Sequence, residues 1–222
     1  MSKRPAFDLS TYLVTDPVLN GGRPVEAVVA EAAKGGATMV QLRDPVSDTR
    51  AMIDLARVLV ELLRPLSIPL IVNDRVDVAL AAGADGVHVG QNDMDARDVR
   101  RLIGENGILG LSVADRGELE ASQAALGVVD YLGVGSVFST STKLDVSAVV
   151  GLEGIAWMRA ATDLPLVAIG GIDEARTADT IAAGADGVAV VTAIMAAADP
   201  AKAAADIALA VERGRAVRKQ KY

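Results

Sequence analysis

Ala81-Ala82-Gly83-Ala84-Asp85-Gly86-Val87-His88-Val89 returns as Ala182-Ala183-Gly184-Ala185-Asp186-Gly187-Val188-Ala189-Val190, 101 residues further on. In each copy an Ala-rich helix ends at a glycine, which accepts the left-handed C-terminal conformation, and a β-branched run follows at once. The pattern is helix, tight turn, strand. Its spacing is what two four-unit halves of an α/β barrel produce. A weaker echo is Lys34-Gly35-Gly36-Ala37-Thr38-Met39-Val40.

Working outward from the repeat, strands are predicted at 11–15, 37–43, 69–73, 85–89, 107–112, 130–134, 165–169 and 186–191. Between them run helical patterns such as Arg50 to Leu63, with Met52, Leu55, Ala56, Leu59 and Leu62 on one stripe, and Pro200 to Val211, which starts with proline in the first turn. Alternating β and α units imply a parallel sheet, and eight of them imply an α/β fold closed as a single (β/α)8 TIM barrel. A doubly wound open sheet is the competing architecture. The 222 residues fit one such barrel domain over 1–222. The five cations after Glu212 read as a flexible, solvated C-terminal tail at 213–222.

Hydrophobic residues make up 51% of the chain and aromatics only 3%, so the core must be built from Ala, Val, Leu and Ile. A formal charge of -7 argues against nucleic acid or an anionic membrane as partner. There is no cysteine, which excludes disulfides, thiolate zinc and a Cys nucleophile. Met1 to Ser10 carries Lys3 and Arg4 with no apolar stretch behind them, and no apolar run approaches the roughly 20 residues of a membrane span. A soluble, cytoplasmic protein is expected. Oligomeric state is left open, a homo-oligomer included.

Predicted strands end in polar residues that packing does not require: Gln41-Leu42-Arg43-Asp44, Asn73-Asp74-Arg75, Gln91-Asn92-Asp93 and Ser112. Barrel enzymes collect their chemistry at that rim. Strand alternation puts Met39, Gln41 and Arg43 on the inner face and Val40 and Leu42 toward the helices. Gln41 suits the edge of a heterocycle, and Arg43 suits a phosphate unless it pairs with Asp44 or Asp74. Asp74 and Asp93 close neighbouring strands, with Asn73 and Gln91 beside them. Hard oxygen donors of this kind specify Mg²⁺. The alternative is a helix cap at Asp93 or Asp95 and a surface ion pair at Asp74.

The longest connection, Ser136 to Val150, offers Thr140, Thr142 and Lys143 to an anion. Across the mouth, Ile169-Gly170-Gly171-Ile172 and Val191-Thr192-Ala193-Ile194 end the last two strands, where barrels bind phosphate on backbone amides. His88 is the sole histidine and reads as an inward, neutral, hydrogen-bonded structural group. The inventory describes two anion sites, one assisted by a metal, with a glutamine suited to a ring between them. That is a site for two phosphorylated small molecules.

With these residues in view the chain resembles the thiamine phosphate synthase family. The likeness runs through Tyr12–Asp16, Val40–Asp44, Val72–Arg75, Gly83–Asp93, Leu109–Val113, Tyr131–Lys143, Ala168–Ile172 and Gly184–Ile194. It implies that a hydroxymethylpyrimidine diphosphate is joined to a thiazole phosphate with release of diphosphate. By resemblance Gln41, Leu42, Arg43, Asp44, Pro45, Asn73, Ser112 and Lys143 hold the pyrimidine diphosphate. Asp74 and Asp93 match magnesium ligands, and Thr140, Ser141, Thr142, Gly171, Val191 and Thr192 fall where the thiazole phosphate is held. Arg43, Lys143 and Ser112 are the expected catalytic groups. Pro45 stands where the family usually reads Lys. A thiazole tautomerase-like or catalytically silent relative with the same fold is the alternative.

Overall fold

The computed structural model describes residues 6–139 and 149–221. Strands β1 (Thr11–Val14), β2 (Met39–Leu42), β3 (Leu70–Asn73), β4 (Gly86–Val89), β5 (Ile108–Ser112), β6 (Tyr131–Val134), β7 (Leu166–Ile169) and β8 (Gly187–Val190) pair in parallel with their neighbours. β8 returns to β1, with Thr11 opposite Val188, and closes the (β/α)8 barrel. Helices α1 (Val25–Lys34), α2 (Thr49–Leu63), α3 (Val76–Ala82), α4 (Ala96–Ile103), α5 (Arg116–Ala121), α6 (Gly151–Ala161) and α7 (Glu174–Ala182) connect successive strands. The short α8 (Thr192–Met195) and the long α9 (Pro200–Lys221) follow β8.

The repeat owes its composition to backbone geometry. Gly83 and Gly184 end α3 and the turn after α7 at φ 70° and 128°, where a side chain would be strained. Gly86 and Gly187 open β4 and β8, where a Cβ would run into the carbonyls of Ile108 and Leu9 on adjoining chain. The aspartates between them do the same work in both copies. Asp85 Oδ2 accepts from Leu70 N and Asp186 Oδ2 from Leu166 N, each at 2.9 Å, pinning the start of one strand to the next.

Two apolar layers follow from strand alternation. Leu9, Tyr12, Val14, Met39, Ile71, Ile108, Tyr131, Val167 and Ala189 fill the barrel, and a larger layer including Val40, Leu42, Val72, Val87, Leu111 and Val134 packs between sheet and helices. All eight strands lie where the sequence predicts them, though shorter. β2 begins at Met39 because Ala37 N still bonds back to Ala32 O at the end of α1.

Helix α9 continues through residues 213–221 of the expected tail. Two of its cations reach the barrel: Arg215 donates to Ser10 Oγ at 2.6 Å, and Arg218 to Ala185 O at 3.1 Å. Among the described residues no helix is long and apolar enough to cross a membrane.

Candidate active site

On the β1–β2 side, Gln41 is 5% exposed and donates from Nε2 to Tyr12 Oη at 2.9 Å. Arg43 takes neither expected partner. Its guanidinium lies 3.5 Å from Asp16 Oδ2, on the loop after β1, and its backbone is clasped by Thr15 Oγ1. Leu42, expected among the ligand contacts, packs its side chain into the helical layer, so its backbone alone is left to meet a ligand. Asp44 accepts from the amides of Val46 and Ser47 at 2.9 Å each and closes a turn around exposed Pro45. Partial burial raises the Asp44 pKa, but the bonds from Ser47 and Val46 outweigh it and keep the carboxyl below its ordinary value.

Asp74 follows β3 at φ 60°, a left-handed position that its short polar side chain tolerates better than most. Its amide reaches across to His88 O on β4 at 2.8 Å, and Asn73 Nδ2 holds its Oδ2 at 2.6 Å. Asp93 lies beyond β4, where Gly90 N donates to its Oδ2 at 2.8 Å. The cap of α4 is Asp95, whose side chain accepts from Arg97 N, and Asp93 is therefore not the cap. Asp74 thus leaves the end of β3 and Asp93 lies on the segment that follows β4, and the carboxylate of each accepts a hydrogen bond. Gln91, expected beside them, instead donates to Ser112 O at 2.6 Å and to Ser122 Oγ at 3.2 Å.

Opposite, Gly170 and Gly171 end β7 at φ 101° and 64°. A Cβ at Gly171 would come within 2.7 Å of Ser139 O, so only a bare backbone passes there. Phe138 N donates to Gly170 O at 3.0 Å, and Arg176 stacks 4.9 Å above the Phe138 ring. The two ends of the long connection meet: Val150 N bonds Ser136 O at 2.8 Å and Gly151 N bonds Val137 O at 3.1 Å. Thr140, Ser141, Thr142 and Lys143 lie between them, outside the described residues. Val191 and exposed Thr192 open α8 on the same side.

Beneath the rim runs a polar chain that strand patterning does not reveal. Tyr12 Oη meets Tyr131 Oη at 3.0 Å, Tyr131 Oη meets His88 Nδ1 at 3.0 Å, and His88 Nε2 meets Ser112 Oγ at 2.9 Å. With Gln41 it links β2, β1, β6, β4 and β5 through the barrel interior. His88 therefore takes the inward, hydrogen-bonded place expected of it. Desolvation pushes both tyrosine pKa values well up, so the phenols stay protonated. Leaving one such buried donor unpaired costs about 1–3 kcal/mol. Space for the rings comes from Gly110 and Gly133, where a Cβ would strike Tyr131 and His88.

A family model described as thiamine monophosphate synthase matches residues 11–194. The chain belongs to the thiamine monophosphate synthase family. Within it, the thiamine-phosphate synthase of Xanthobacter autotrophicus is 55% identical over 205 residues, covering 92% of this chain and 96% of that one. That of Chloroflexus aurantiacus is 51% identical over 204 residues, covering 92% and 93%. A solved thiamine phosphate pyrophosphorylase from Pyrococcus furiosus superposes with a TM-score of 0.82 at 38% identity, covering 92% of this chain and 96% of that one.

Tyr12, Tyr131 and Asp16 are the site-linked residues that the sequence reading passes over. A tyrosine at an inward strand position reads as core, and its polar tip gains partners only when the barrel closes. The one available signal is that two of the chain's three tyrosines occupy inward positions of strands in an aromatic-poor interior.

Proposed function

We propose that the chain joins a hydroxymethylpyrimidine diphosphate to a thiazole phosphate, giving thiamine phosphate and diphosphate. What supports this reading is that Gln41, Arg43, Asp74, Asp93 and Ser112 lie at or beyond the C-terminal ends of four consecutive strands of the closed barrel. That is the rim on which acidic, basic and ring-recognising groups would serve a charged leaving group attached to a heterocycle.

Asp74 and Asp93 would hold Mg²⁺. The reading rests on their donor chemistry, hard carboxylate oxygens on the segments that leave β3 and β4. Two carboxylates leave coordination positions for water and phosphate, the arrangement Mg²⁺ prefers over a closed protein cage. When bound, the cation neutralises charge on the diphosphate.

The residues of the chain supply the rest. As the carbon–oxygen bond breaks, its electron pair leaves with the diphosphate, and Arg43 and Ser112 meet the growing negative charge. Lys143 joins them on the strength of its motif. The aminopyrimidine, held by Gln41, shares the positive charge of the methylene carbon. The thiazole nitrogen then donates its lone pair to that carbon and forms the new bond without a base. Gly171, Val191 and Thr192 fix the thiazole phosphate so that the attack is in effect intramolecular. Substrates this highly charged do not cross membranes unaided, which suits a cytoplasmic enzyme.

The test is to mix the purified chain with both precursors, with and without Mg²⁺, and follow diphosphate. Coupled product with metal and none in chelator is expected. Turnover of a single phosphorylated ligand in chelator would favour a tautomerase, the reading to which Pro45 lends support. Binding without turnover would indicate a silent relative.

A further inference from the structure

The hydrogen-bonded chain through the barrel has a direction. Gln41 Nε2 donates to Tyr12 Oη, so the Tyr12 phenol must place its own hydrogen elsewhere, and Tyr131 Oη lies 3.0 Å away. Tyr131, accepting from Tyr12, then has His88 Nδ1, 3.0 Å away, as the acceptor for its own hydrogen. Both rings are fully buried, Tyr12 at 1% exposure and Tyr131 at 0%, so water cannot take either hydrogen. An Nδ1 that accepts must be bare. The ring hydrogen therefore sits on Nε2 and points at Ser112 Oγ, 2.9 Å away. Ser112 accepts it, and its own hydrogen is left to point into the mouth.

We propose that His88 is a positioning residue that turns Ser112 into a hydrogen-bond donor toward the diphosphate, with the polarity set by the Gln41 amide two tyrosines away. The consequence for turnover rests on the synthase reading above; the direction of the chain does not. Gln41 is also the group that meets the aminopyrimidine. A ring amino group donating to Gln41 Oε1 keeps Nε2 turned toward Tyr12, the orientation that drives every link toward Ser112. Ring recognition at one end and leaving-group stabilisation at the other are thereby coupled through the barrel core. The opposite polarity requires the amide oxygen of Gln41 on Tyr12, a bare Nε2 and a Ser112 hydrogen withdrawn from the substrate.

Because His88 is the only histidine, nitrogen NMR of the full chain labelled at histidine reads this one ring without assignment. The ligand-free protein is expected to show a protonated-type Nε2 and a bare-type Nδ1. The inverse pattern, or two protonated-type nitrogens, overturns the proposal. In Tyr131→Phe, Nδ1 loses its donor, so the ring should exchange between tautomers. Its kcat for diphosphate release should fall about tenfold, one hydrogen bond's share of the barrier, with KM for the thiazole phosphate unchanged. Tyr12→Phe should do the same from one link further off, and replaces Tyr131→Phe if that variant is unfolded. A fall in kcat with the single tautomer intact, or a mixed tautomer with kcat intact, overturns the relay. If the unmutated chain releases no diphosphate, the synthase reading fails while the nitrogen pattern still decides the direction.

Discussion

Asp74 donates its backbone amide to His88 O at 2.8 Å, so the residue that leaves β3 is still stapled to β4. The staple holds a left-handed aspartate at the rim, beside the strand whose continuation carries Asp93.

Asp74→Asn and Asp93→Asn should separate charge from shape. Asparagine tolerates φ 60° and can still accept the bonds from Asn73 and Gly90, so the melting temperature should hold. Diphosphate release should fall on the order of 100-fold, about 2.7 kcal/mol of transition-state stabilisation, with half-saturating Mg²⁺ moved upward. Steady-state assays over a Mg²⁺ series check this; unchanged metal dependence would remove the pair from the mechanism.

Arg100→Ala should cost stability while sparing chemistry. Arg100 and Asp130 are each 5% exposed and bond at 2.7 Å, and Arg100 also serves the carbonyls of Val128, Gly104 and Gly107. These contacts precede β5 and β6, at the end of the barrel away from the rim. Removing the guanidinium takes the cation away from a buried carboxylate that Leu109 N still contacts, at about 3–5 kcal/mol. Thermal unfolding should show a drop of roughly 10 °C, with kcat of the folded protein retained at 25 °C.

Gly110→Ala should damage fold and site together. The new Cβ would fall on the Tyr131 ring and on His88 Nδ1, both locked in the barrel. Backbone and rings must shift, at about 1–3 kcal/mol for overpacking. Calorimetry should show the loss, and the histidine nitrogen spectrum should lose its single pattern.

Pro45→Lys should return a cation to the diphosphate end. Residue 45 is exposed, and the turn around it is held by Asp44 through the Val46 and Ser47 amides, not by the proline ring. KM for the pyrimidine diphosphate is expected to fall severalfold, about 1 kcal/mol for one more partly solvated charge pair. An unchanged KM would mean that Arg43 and Lys143 already match the leaving charge.

The strands are legible in the sequence because glycine turns and β-branched runs alternate, and observed bounds fall within two residues of those expected. The inner face of β2 is legible for the same reason: Gln41 and Leu42 diverge as period-two alternation demands. What escapes is any contact that depends on closure. Arg43 finds Asp16 because β1 lies beside β2, although Asp44 is its sequence neighbour and Asp74 ends the next strand. Tyr12 and Tyr131 stand 119 residues apart and meet only across the barrel. The tail after Glu212 becomes helix because Ser10 and Ala185 supply acceptors that no local pattern foretells.

Ser136 and Val150 hold hands at the base of the longest connection, and Val137 and Gly151 repeat the grip. Such a clasp isolates what it encloses. The entropic cost of bringing the two stems together is borne by the clasp and the strand beneath it, and further residues between them add only a slowly growing logarithmic cost. A change of length between the two stems is therefore expected to leave the staves of the barrel in their places.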